Sequence, residues 1–194
     1  MMRLPISALL FIAFMFSGTT EAKTIDLRNQ TDADGTTREI SLCARPSPDK
    51  PGLPGHAFVA FGEVSKDGKI KFRAIGHTVF SVAEAILSYS GLVTATGALV
   101  DEKYSSVKQK CLTLQVNKPD YDASYVQVAQ PLSSIGITFD ESKPIQKAYS
   151  LGGDDCVKLM ISQAQRFTMK GLNVPARQAN ELPLPYVRRL IEAN

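Results

Sequence analysis

The chain has 194 residues, with 22 basic and 19 acidic side chains for a net charge of +3, and 44% of its residues are hydrophobic. That size allows one sizeable core, and the near-balanced charge lacks the basic excess by which nucleic acid or an anionic membrane surface is recognised. Two histidines and three cysteines without paired ligand spacing argue against a zinc site, and nothing in the sequence calls for a cofactor.

Residues 1–22 begin with one positive charge, Arg3, pass through an apolar run from Ile6 to Phe16, and end in the small-residue stretch Ser17-Gly18-Thr19-Thr20-Glu21-Ala22. This is the pattern of a secretory signal peptide, with cleavage expected after Ala22. The apolar run is too short to span a bilayer, and no later stretch approaches the roughly 18 apolar residues that a span requires. The expectation is a secreted or periplasmic chain in which residues 23–194 form a single α+β domain. No internal repeat or linker divides it.

A strand near Thr24–Leu27 leads through a polar loop to a strand over Glu39–Ala44. Arg45 to Gly55 then carries four prolines and two glycines, which argue against helix and strand alike. Next come two strand-like runs, His56–Val64 and Ile70–Phe80, on either side of Asp67-Gly68, which is a strong hairpin signal. A two-residue turn there pairs Lys66 with Lys69, so His56 and His77 project from one face as diagonal neighbours roughly 7–8 Å apart. On that register Ile70, Phe72 and Ala74 line the core. A turn one residue longer would put the two histidines on opposite faces, an outcome that ends a catalytic reading of the pair and leaves a binding module as the better account.

Ser81–Ser88 reads as a short helix ending near Gly91, followed by strands within Leu92–Val100 and Ser105–Val116. Asp120–Ala129 is a second helix with Pro131 after it, and Ser133–Lys143 is irregular. Leu184–Ile191 closes the chain as a helix. Three cysteines in an exported protein leave at least one unpaired. Cys43 and Cys111 both lie in strand-like runs, and a bridge between them would leave Cys156 as the free thiol.

The most informative stretch is Gly152-Gly153-Asp154-Asp155-Cys156-Val157. After it, Val157, Met160, Ile161, Ala164 and Phe167 recur at helical spacing, with Asp154 or Asp155 as N-cap and Gly171 before Pro175 as the stop. Cys156 therefore falls in the first helical turn, where free backbone N–H groups and the helix dipole favour a thiolate. The two neighbouring aspartates oppose this, so a cation is required from elsewhere. Read alone, a helical cysteine is more often a small core hydrophobe.

Gly55-His56-Ala57-Phe58-Val59, the strand carrying His77, and Ala148-Tyr149-Ser150-Leu151-Gly152-Gly153-Asp154-Asp155-Cys156-Val157 follow a histidine-first, cysteine-last order. That order resembles the circularly permuted branch of the papain-like cysteine hydrolases, the superfamily of the NlpC-type cell-wall peptidases and lecithin:retinol acyltransferase. The resemblance implies a permuted papain-like fold, an antiparallel sheet packed against helices. It also implies Cys156 as nucleophile, His56 as its base, His77 as the residue that orients His56, and Tyr149 at the substrate. Val157-Lys158-Leu159 departs from the small residues those peptidases carry after the cysteine. The functional expectation is a thiol hydrolase or acyltransferase acting on an amide or ester, with a peptidoglycan peptide as one candidate partner. The alternative is a binding or structural module on the same scaffold, since a fold does not establish an activity.

Overall fold

The computed structural model describes residues 21–46, 55–102, 109–133, 145–179 and 181–194. Its strands are β1 (Glu21–Asp26), β2 (Thr37–Arg45), β3 (His56–Val64), β4 (Ile70–Val79), β5 (Ala95–Asp101), β6 (Lys110–Val116) and β7 (Ile145–Tyr149). Its α-helices are α1 (Val82–Tyr89), α2 (Lys118–Ser133), α3 (Cys156–Gln165) and α4 (Pro183–Glu192), with a 3-10 turn at Thr168–Lys170. The seven strands form one mixed sheet in the order β1-β6-β2-β3-β4-β5-β7, in which β1 runs parallel to β6 and the other pairings are antiparallel. The proposed leader lies almost wholly outside the described residues, and β1 starts at Glu21, so cleavage after Ala22 would leave Lys23–Asp26 in the strand.

Alternation along the strands sorts the side chains into two faces. Ile40, Leu42, Ala44, Val59, Phe61, Ile75, Leu112 and Leu114 share one face, and α2, α3 and α4 bury Val128, Met160, Ala164, Tyr186, Val187 and Leu190 against it. Fully burying a large apolar side chain is worth roughly 1.5–3 kcal/mol. This layer is therefore the principal source of stability. The opposite face holds a smaller cluster of Cys43, Phe58, Ala60, Ala74 and Cys111.

The β3–β4 turn differs from the expected one. Ser65 N–H donates to the Lys69 carbonyl at 3.0 Å and Gly68 N–H to the Ser65 carbonyl at 2.8 Å, with Gly68 at φ +80°. A glycine in the left-handed region makes a three-residue loop, a turn followed by a bulge, as favourable as the two-residue one. The register consequently moves by one: Val64 pairs with Ile70 and Phe58 with Gly76. His56 keeps the parity of Phe58 and Gly76, while His77 takes that of Ile75, on the other face. Ile70 and Phe72 are exposed, 54% and 38%, instead of lining the core.

Three further differences are local. Helix α2 continues through Pro131 to Ser133, and β7, which pairs with β5, occupies a stretch whose five residues carry too little pattern to mark a strand. Helix α3 stops at Gln165, and Gly171, at φ +92°, terminates the 3-10 turn that follows. The expected irregularity of Ser133–Lys143 falls, after Ser133, outside the described residues.

Cys43 and Cys111 are directly opposed on β2 and β6, 4.2 Å apart at Cα, and are joined by a disulfide; Cys156 is free. Thiol titration of the unfolded, unreduced protein should find one free group per chain. The bridge joins residues 68 apart in sequence. Closing a loop of that length stabilises by about 4 kcal/mol in the chain-entropy account, so the Cys43→Ala/Cys111→Ala variant should lose a comparable amount in denaturant unfolding.

Candidate active site

Helix α3 begins at Cys156 because Asp155, in extended conformation, caps it. The Asp155 carboxylate accepts from Val157 N–H at 3.0 Å and Lys158 N–H at 3.1 Å, and also from Gly152 N–H at 2.8 Å. These bonds join the glycine loop to the first helical turn, and they satisfy two of the amide donors that every helix start leaves open. Gly152, at φ +84°, lets the loop turn sharply under Tyr89, while Leu151 N–H donates to Ser88 Oγ at 3.0 Å. The cysteine Sγ is thereby fixed at the positive end of α3. Cys156 itself is only 1% exposed.

His56 is the first residue of β3 and lies before the first β3–β4 rung. It is paired with Arg45 in the β2–β3 ladder, and its ring lies over Gly76. Its Nε2 lies 2.7 Å from Glu102 Oε1, and Cys156 lies near enough to push the titration of the ring upward. Glu102 follows β5, held by its N–H to the Ala74 carbonyl at 2.9 Å, and its other oxygen accepts from Arg45 Nη2 at 3.0 Å. Gly76 makes this pair possible. A Cβ there would stand 2.5 Å from His56 Nε2 and collide with the Glu102 carboxylate.

Burial works against a charged His56, but the hydrogen bonds and negative charges of Cys156 and Glu102 more than offset it and push the imidazole up to about 10. Burial would likewise raise Glu102, yet His56 and the charge of Arg45 hold it below the usual carboxylate range. Tyr149, at the end of β7, lies beside Cys156 and packs edge-on against His77 at 5.0 Å between ring centroids. Burial, then the charges of Cys156 and Asp155, raise its hydroxyl, so it stays protonated and serves as a donor.

The structure thus brings together Cys156, His56 and Tyr149 of the residues singled out in the sequence. His77 does not take the expected place: Glu102 holds the orienting position on His56, and His77 is fully buried behind Tyr149. The sequence carried one sign of Glu102, a glycine between Ile75 and His77 in an otherwise bulky strand, since glycine inside a strand often marks a close approach by another group. The required cation is Arg177, whose Nη1 and Nη2 donate to the two Asp155 oxygens, each at 2.9 Å.

A separate cleft of about 430 Å³, lined by residues including Phe61, Arg73, Tyr121 and Tyr125, includes none of these groups in its lining. Among the described residues no helix is long and apolar enough to cross a membrane. Comparison of the chain with family models, curated proteins and solved structures returned no match.

Because the folded-state value of His56 lies above the unfolded 6.5, its contribution to stability is complete below pH 6.5 and is lost as pH rises through about 10. Urea unfolding followed across that window should show declining stability. Glu102→Gln, which removes one of the two charges on the ring, should flatten the decline and lower the His56 titration midpoint seen by NMR.

Proposed function

We propose that this chain is an exported thiol hydrolase or acyltransferase of permuted papain-like type, acting on an amide or ester bond. One observation carries the reading: His56, its Nε2 held by Glu102 at 2.7 Å, lies close enough to Cys156, a thiol at a helix N-terminus, for the two to influence each other's charge. A nucleophile, a base in contact with it, and a third group that fixes the base are what acyl transfer requires. The order of histidine strand before cysteine helix supports the permuted papain-like assignment.

In the proposed cycle the Cys156 proton already rests on His56, which is protonated at neutral pH, and the thiolate attacks the substrate carbonyl carbon. The carbonyl electron pair moves onto oxygen, where the Cys156 N–H at the start of α3 is positioned to stabilise it, with the Tyr149 hydroxyl beside the sulfur as a further donor. Collapse of this adduct breaks the bond to the leaving group, which takes the proton from His56. Water or another acceptor then gives a proton to His56 and attacks the thioester, releasing the acyl group and restoring the thiolate beside a protonated His56. Cys156 and His56 act on the reacting atoms, whereas Glu102 and Arg45 position the ring. A peptidoglycan peptide and other secreted amides or esters fit this chemistry equally well.

Two observations favour a second reading, in which the scaffold binds a partner without turnover: the 1% exposure of Cys156, and the two imidazoles on opposite faces of the sheet, the outcome that weighs against catalysis. Alkylation separates the two. A working Cys156 reacts with iodoacetamide at mildly acidic pH in the folded protein, and a core cysteine does not. Against a panel of amide and ester probes, Cys156→Ala should abolish turnover while the fold is retained. His56→Ala should cost about 10²–10⁴-fold, Glu102→Gln less, and His77→Asn least. Full activity in Cys156→Ala would sink the nucleophile assignment.

A further inference from the structure

A carboxylate immediately before a nucleophilic cysteine is an electrostatic liability, because its charge opposes formation of the thiolate. Here the same carboxylate is also indispensable, since it caps the helix that carries the thiol. Asp155 has no exposed surface, and an unpaired charge there would cost several kcal/mol. The molecule meets both demands with one side chain from the irregular segment between the 3-10 turn and α4.

The Arg177 guanidinium straddles the Asp155 carboxylate in a two-pronged pair, both contacts 2.9 Å, and it also donates to the Glu181 carbonyl at 3.0 Å. Its own position is overdetermined. The Glu181 carboxylate accepts from Gln178 N–H at 3.0 Å and clamps Arg189 of α4 at 2.6 and 2.7 Å. On either side, the Tyr186 hydroxyl donates to the Pro175 carbonyl and Arg189 to that of Ala176. The C-terminal helix therefore holds a guanidinium against the cap of the nucleophile helix.

We infer that Arg177 is a positioning residue for the Cys156 thiolate, neutralising the Asp155 cap while fixing, through that cap, where the first turn of α3 holds the sulfur. This rests on the reading of Cys156 as nucleophile. The other groups that face the sulfur are His56 from β3 and Tyr149 from β7. Glu102 acts through His56, and His77 lies behind Tyr149. On the helix side Asp154 and Lys158 flank the cap. Arg177 is the cation bound to Asp155 itself, and a bidentate arginine to a buried carboxylate is the strong form of such a pair.

The test is the pH profile of iodoacetamide alkylation of folded full-length protein, with turnover of an ester probe followed alongside. Arg177→Gln should slow alkylation about tenfold at pH 6, corresponding to roughly one pH unit, and much less at pH 10. Adding Asp155→Asn, which removes the carboxylate's charge and keeps an oxygen for capping, should restore the rate at pH 6. A merely structural role would lower thermal stability without moving the profile. Superimposable profiles for the native protein and Arg177→Gln would overturn the inference, as would failure of the double variant to recover. If Arg177→Gln does not fold, Arg177→Lys keeps the charge and loses the fork: a profile in its native position supports the inference, and a displaced one overturns it. An alkylation profile that responds to Arg177 in a protein without turnover leaves this inference standing and removes the hydrolase reading. Turnover with an unresponsive profile does the reverse.

Discussion

An ionised carboxylate with no access to water is tolerated only when its oxygens are fully engaged, and Asp155 meets that condition with five donors. Those donors come from the glycine loop, the first turn of α3 and the segment before α4, so one side chain ties together three parts of the chain. Remove it and the loop over Tyr89, the start of the cysteine helix and the anchoring of the C-terminal segment lose their common point. The geometry of Cys156 follows from this constraint more directly than from its own contacts, because the N–H of a residue at the first helical position has no intrahelical partner.

The sheet supplies the other half of the site by leaving out an atom. Gly76 lies opposite Phe58, and the space that its missing side chain leaves is filled by the Glu102 carboxylate and the edge of the His56 ring. Polar groups rarely stand over the centre of a sheet unless they satisfy one another. Arg45, His56 and Glu102 do so as a chain from β2 across β3 to the end of β5. Two arginine–carboxylate pairs, Arg45 with Glu102 and Arg177 with Asp155, thus bracket the cysteine and histidine from opposite sides. The first helps hold the Glu102 carboxyl below its usual range, and the second gives the buried Asp155 carboxylate two of its five donors.

Much of this was legible in the sequence, and the failures have definite causes. The helix at Cys156, a cap from Asp154 or Asp155, the β3 and β4 runs and at least one free thiol follow from local pattern and cysteine count. The hairpin register did not, since Asp67-Gly68 supports both a two-residue and a three-residue closure and Gly68 at φ +80° selects the latter. That one-residue difference moved His77 to the other face and opened the orienting position to Glu102. Arg177 was not foreseen: the cation that the adjacent aspartates call for was sought among the histidines, and a contact spanning 22 residues through an irregular segment leaves no periodic trace. The structure displays an α+β arrangement with a mixed seven-stranded sheet, and the proposed permuted papain-like assignment rests on chain order.

The disulfide bears on how the chain acquires its structure. Three cysteines admit three different single bridges, and two of those consume Cys156. Cys43 and Cys111 meet once β2 and β6 are zipped in register, a pairing that needs neither α3 nor α4, whereas Cys156 is shielded only after its helix has docked on the sheet. Oxidation that follows strand pairing therefore closes the correct bridge and uses up both competitors before the remaining thiol is sealed in. Premature oxidation of the unfolded chain would instead link Cys156 to one strand cysteine or the other, trapping α3 away from His56. The order in which the sheet and the helix form thus decides whether the thiol arrives at the site unspent.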